Sequence, residues 1–204
     1  MKRIFLLIVA CAFAFVGAQA QNSDVEATSQ TTKIEQFKAA CNFVKENILY
    51  TFEEGGLKIF AMQYTNLKTG EKIVGFEFFA ATKAQQLTGT VESLGYLDID
   101  QTDDFILALE KILEESANSD KGNNCAIHYT TNGGINVHYY YISGAMGMNT
   151  QVVGFRKRWL TTNEFGVQKY EYTQNPPIIG IAKLTKLISS LKEAQLIAKQ
   201  SLGE

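Results

Sequence analysis

Apolar residues along this chain fall into two spacings, one near 3.6 and one near 2, and the switches between them outline the elements. Ile34, Phe37, Cys41 and Val44 are three and four apart, as one helix face requires, and predict a first helix over 32–47. LKIFAMQYTNLKTGEKIVGFEFFAA then reads as two strands around Asn66-Leu67-Lys68-Thr69-Gly70, where Gly70 takes positive φ without a Cβ penalty. A further strand is predicted over 91–99. Behind it, Phe105, Ile106, Leu109, Ile112 and Leu113 follow i, i+1, i+4, i+7, i+8, a single apolar helix face. Asp100 or Thr102 stands where a side-chain oxygen caps the free amides of the first turn. Asp103 and Asp104 stand where the helix dipole favours negative charge.

The second half repeats this plan. NCAIHYTTNGGINVHYYYIS is a hairpin turning at Asn132-Gly133-Gly134, and VVGFRKRWL and VQKYEYT read as two more strands. Pro176 and Pro177 interrupt the sheet, and a long helix follows with Ile181, Leu184, Ile188, Leu191 and Ala198 on one face. Strands grouped ahead of helices predict an α+β fold, an antiparallel sheet with helices packed on one face. Its two hairpin–strand–helix half-repeats cover about 57–117 and 124–200, inside a single domain over 33–204. The arrangement resembles the duplicated saddle-like sheets of TATA-binding-protein-like folds and of beta-lactamase inhibitory proteins. In the signal peptide, the LKTGEK hairpin and the YLDIDQTDDF helix start, the chain also resembles uncharacterised secreted proteins of Bacteroidetes. That likeness implies location and fold more than activity.

MKRIFLLIVACAFAFVGAQA reads as a secretory signal: a basic Lys2-Arg3 start, an apolar run, and Ala18-Gln19-Ala20 as the cleavage pattern. Processing as a lipoprotein at Cys11 is the competing reading, set against the apolar residues that follow it. Residues 21–32 are polar and aperiodic, a flexible lead-in. Cleavage removes Lys2 and Arg3 and no acid, so the mature chain is more acidic than the net −2 of the whole. No basic excess points to a nucleic-acid partner, and no segment after the signal is long and apolar enough to span a membrane. Cys41 and Cys125 survive cleavage, and both spacings aim them at the core. Export permits a bridge between them; two separate buried thiols satisfy the pattern as well.

The chemistry is sparse. Asp98, Asp100, Asp103 and Asp104 crowd one stretch, but a calcium loop counted from Asp98 puts Asp103 where the turn needs Gly and Leu109 where it needs Glu. A capped, solvated helix start is the better reading. His128 and His138 face each other only if the hairpin loop has three residues; a two-residue loop puts them on opposite faces. Even paired they are two ligands, too few for zinc. No nucleophile elbow, phosphate loop or facing carboxylate pair occurs, so no catalytic residue, metal or cofactor is assigned. Two features point to a binding surface, with an ordinary half-solvated sheet as the competing reading. Tyr139-Tyr140-Tyr141 puts aromatics on both faces of a strand, and Arg156 and Arg158 share one face with Lys157 and Trp159 on the other. Tyr140, Arg156, Arg158 and Trp159 have the composition of protein-binding hot spots. The sequence thus reads as an exported, non-catalytic binding or interaction module of the bacterial envelope, with a protein as the possible partner. A secreted hydrolase with an unrecognised site and a structural envelope component are the alternatives.

Overall fold

The computed structural model describes residues 31–81, 91–118, 125–143, 149–173 and 176–203; the predicted signal and nearly all of the lead-in lie outside them. Its first helix, α1 (Lys33–Ala40), is much shorter than the spacing predicts. Cys41 already has extended backbone, φ −104° and ψ 126°, and the chain passes directly into a strand, β1 (Val44–Glu54). Ile34 and Phe37 are buried, and Cys41 and Val44 pack against the same cluster from outside the helix. The apolar spacing was therefore right about the face and wrong about the backbone. Cys41 keeps a free thiol, and the side chain of Cys125 lies outside the described residues.

Beyond β1 run β2 (Leu57–Asn66), β3 (Lys72–Ala80) and β4 (Glu92–Asp98), completing an antiparallel meander in the order β1-β2-β3-β4. A 3-10 turn (Ile99–Gln101) leads into α2 (Thr102–Asn118). The second sheet holds β5 (Cys125–Thr130), β6 (Ile135–Ser143), β7 (Asn149–Thr162) and β8 (Gln168–Tyr172) in that order. A short β9 (Ile178–Gly180) pairs with β7 immediately before α3 (Ile181–Leu202). The class is α+β with antiparallel sheets, as the sequence predicts. It has two sheets where one was expected, and β1 and β9 are additions to the predicted strands.

One core joins both sheets to the two long helices. The odd positions of β2 (Leu57, Ile59, Ala61) and of β6 (Ile135, Val137, Tyr139, Tyr141) share it with Phe105 and Leu109 of α2 and Leu184, Leu187 and Leu191 of α3. α1 is the exception to the one-face packing expected of the helices. It lies on the opposite face of the first sheet, where Ile34 and Phe37 meet the even positions Met62 and Tyr64. Both faces of β2 are thus apolar, which is why all ten of its residues are at least partly buried, without clean alternation.

The aspartates explain how α1 is held. Neither Asp100 nor Thr102 caps α2 in the expected way: the Thr102 hydroxyl donates backwards to the Asp98 carbonyl at 3.3 Å, and Asp100 pairs with Lys33 at 2.7 Å. Asp98 is the buried one. Its Oδ2 accepts from the Lys33 amide at 2.8 Å and its Oδ1 from the Ile34 amide at 3.2 Å. Those amides have no partner inside their helix. Thr32 and Glu35 complete the end as a capping box. A carboxylate from β4 therefore acts as a cap for a helix more than sixty residues earlier.

Candidate functional site: the outer face of the second sheet

The β5–β6 turn decides what this face carries. The Thr131 amide donates to the Ile135 carbonyl at 2.9 Å, and Gly134 takes φ 82°, so the loop is the three-residue form. His128 is then the register partner of His138, and β7 sets Gly154 opposite His138 and Arg156 opposite Asn136. The odd positions of β6 and β7 are in the core, so Asn136, His138, Tyr140, Gly154, Arg156 and Arg158 face outward together. β8 adds Tyr172 across from Arg158 and Tyr170 across from Leu160.

These residues are organised around one cation. Arg156 Nε donates to His138 Nδ1 at 3.0 Å, and its Nη2 donates to the Tyr140 hydroxyl at 2.9 Å. The guanidinium lies over the Tyr172 ring, 4.6 Å from its centroid, and that of Arg158 over Tyr170 at 4.1 Å. Both stacks run diagonally between neighbouring strands, within reach of long side chains. The His138 ring meets Tyr140 edge-on at 4.8 Å and sits directly over Gly154, where a Cβ would collide with it.

Of the residues singled out in the sequence, Tyr140, Arg156 and Arg158 come together here. Trp159 is on the reverse side, paired with Glu171, yet it borders with Arg156 and Tyr172 a concavity of about 620 Å³ at the root of β8. Sequence reasoning did not place His138, Tyr170 and Tyr172 in this cluster. Period-2 alternation in YEY contained the signal for the two tyrosines. It also did not foresee the arm: β7 runs past the end of its pairing with β6 at Lys157 and turns back through Asn163 into β8. Asn163 Oδ1 accepts from the Phe165 and Val167 amides at 3.0 and 2.9 Å, which fixes a turn whose Phe165 is 81% exposed.

The histidine pair does not assemble a metal centre. His138 Nδ1 is occupied by an arginine N–H, whose charge opposes a cation, and the described residues contain no group of three or more potential ligands. Because Nδ1 accepts, the proton of the neutral ring is on Nε2. Burial, then the charges of Arg156 and His128, lower the His138 pKa to about 3. The unfolded chain, with an ordinary value near 6.5, takes up the proton first as pH falls. The stabilisation from neutral His138 is therefore complete above about pH 6.5 and declines toward pH 3. His138→Gln, which keeps an acceptor for Arg156, should show a shallower loss of stability over that window. Urea titrations of both chains at intervals from about pH 7 to pH 4 measure it, their difference cancelling the carboxylates common to both.

The first sheet offers a contrast on its own outer face. There Lys38 of α1 meets Glu46 at 2.7 Å and Glu77 at 3.5 Å, and Tyr64 donates to Glu77 at 2.7 Å. Burial alone would lower the Lys38 pKa, but the bond to Glu46 and the charges of Tyr96, Glu77 and Glu46 outweigh it and raise the value. Burial, then the bond to Glu77, pushes Tyr64 up as well, so its hydroxyl stays a donor. In this network the cation belongs to the covering helix and has its carboxylates. Arg156 has no ion pair among the described residues, and no described helix lies over it.

Comparison with known proteins finds no matching family model, no matching curated protein and no matching solved structure.

Proposed function

We propose that this protein is an exported, non-catalytic binding module of the bacterial cell envelope that engages a protein partner through the outer face of its second sheet. The observation that carries the reading is the stacked array of Arg156, Arg158, Tyr170 and Tyr172 on a face that no described helix covers, beside a first sheet whose outer face carries α1. Arginine and tyrosine side chains already fixed by stacking lose little freedom on binding, so a partner gains their full contact area. Tyr170 and Tyr172 remain 36% and 38% exposed, and the arm adds Phe165 and Val167. Export is read from residues 1–20, and no described helix is long and apolar enough to cross a membrane.

A photocrosslinking residue placed at Tyr170 should capture a discrete partner in envelope preparations, while one at Leu196 on the outer side of α3 should not. A broad hydrolase screen on the purified mature chain tests the competing enzyme reading. Turnover that disappears in Arg156→Gln would replace binding by catalysis on this same face.

A further inference from the structure

We infer that Arg156 is a carboxylate receptor, taking an acidic side chain of a polypeptide partner on the outer edge of its guanidinium. The inference rests on the reading of this face as a binding surface and names the chemistry it recognises. A guanidinium has two forked edges, one made by Nε with Nη2 and one by the two Nη groups. His138 Nδ1 and the Tyr140 hydroxyl hold the first edge, at 3.0 and 2.9 Å. The Tyr172 ring, 4.6 Å from the guanidinium carbon, fixes its plane. The second edge has no acceptor among the described residues. A planar fork held still by three neighbours is what bidentate carboxylate recognition needs.

The charge balance points the same way. Arg156 is half-buried, and a partly desolvated cation is costly until an anion meets it. Lys38, the cation of the first sheet's outer face, has two carboxylates within 3.5 Å. Arg156 instead borders the concavity of about 620 Å³, roomy enough for a side chain and the backbone that carries it.

The other walls choose among anions. Glu171 already pairs with Lys169 at 3.0 Å, but Glu92 brings a second negative charge to the same concavity. It repels a doubly charged phosphate more than a singly charged carboxylate and offers an acceptor to a backbone N–H beside the bound carboxylate. The exposed rings of Tyr170 and Tyr172 supply the apolar contact that a polypeptide uses and a small ion does not.

The test is an NMR titration of the mature chain, following the Arg156 Nε–H and His138 ring signals. The probes are N-acetylglutamate amide, its neutral isostere N-acetylglutamine amide, and inorganic phosphate. A saturable shift with the glutamate probe is expected, at least tenfold weaker with the glutamine probe and weaker with phosphate. Arg156→Lys keeps the charge and loses the fork, and should weaken glutamate binding at least fivefold. Glu92→Gln, which removes the repulsion and keeps an acceptor, should tighten phosphate more than it tightens the glutamate probe. Equal response to glutamate and glutamine, tighter binding of phosphate than glutamate, or full affinity in Arg156→Lys would each overturn the inference. The wild-type probe series decides even if a variant fails to fold. A chain that binds the glutamate probe yet crosslinks nothing at Tyr170 keeps this inference and loses the protein-partner reading. One that crosslinks a partner but ignores the probe does the reverse.

Discussion

Gly154→Ala is expected to cost about 3 kcal/mol or more, the upper end of overpacking effects, although it adds a single methyl group. The imidazole of His138 occupies the place of the new Cβ, with Cδ2 at 2.9 Å and the ring nitrogen closer still. The ring has no route of retreat. It is 3% exposed, tied to Arg156 through Nδ1 and packed edge-on against Tyr140. The strand must therefore shift or the ring must leave its arginine. The cause can be isolated by a double-mutant cycle in urea. Removing the ring in His138→Ala opens the space, so Gly154→Ala should be far less damaging in that background. Additive losses would mean that the glycine is needed for something other than the histidine above it.

Asp98→Ala is the second large effect, about 2–4 kcal/mol, because it strands two amides at the start of α1 when each unpaired buried group costs about 1–3 kcal/mol. The side chain is 5% exposed and both oxygens are in use. Asp98→Asn keeps one carbonyl acceptor and should lose roughly half as much. A readout specific to the mechanism is amide exchange across 33–40: it should accelerate ahead of global unfolding, since α1 is detached without disturbing the main core. Uniform acceleration along the chain would show that Asp98 supports β4 rather than the helix.

How far the sequence carries can be judged from particular elements. The β2–β3 hairpin with Gly70 at φ 77°, the face of α2 and the outward pairing of Arg156 with Arg158 were all legible, because each rests on local periodicity. β1 was not. A bulge between Ile48 and Tyr50 changes the phase of its alternation, and exposed Lys45, Glu46 and Glu53 blur the rest, so its start was absorbed into the helix before it. β9 is three residues behind two prolines, too short for any pattern. The contacts that organise the candidate site are of another kind. Arg156 finds His138 across eighteen residues, and Asp98 finds α1 across more than sixty. Composition contained the residues, but only strand order and the hairpin register bring them together. The resemblance to saddle-like inhibitor folds is one of arrangement alone and carries none of this geometry.

The central claim is that the Tyr–Arg face of the second sheet is the binding surface. Its most direct test is the affinity of the purified chain for a partner identified by crosslinking at Tyr170, measured by calorimetry for wild type, Arg158→Ala and Leu196→Ala. Arg158 stacks on Tyr170 where the arm leaves the face, and Leu196 is 57% exposed on α3. Arg158→Ala should weaken binding about tenfold or more, a loss of about 1.4 kcal/mol, with an almost unchanged melting temperature, while Leu196→Ala binds as wild type does. Equal affinity for wild type and Arg158→Ala, or a loss confined to Leu196→Ala, would contradict the account and move the binding surface off this sheet.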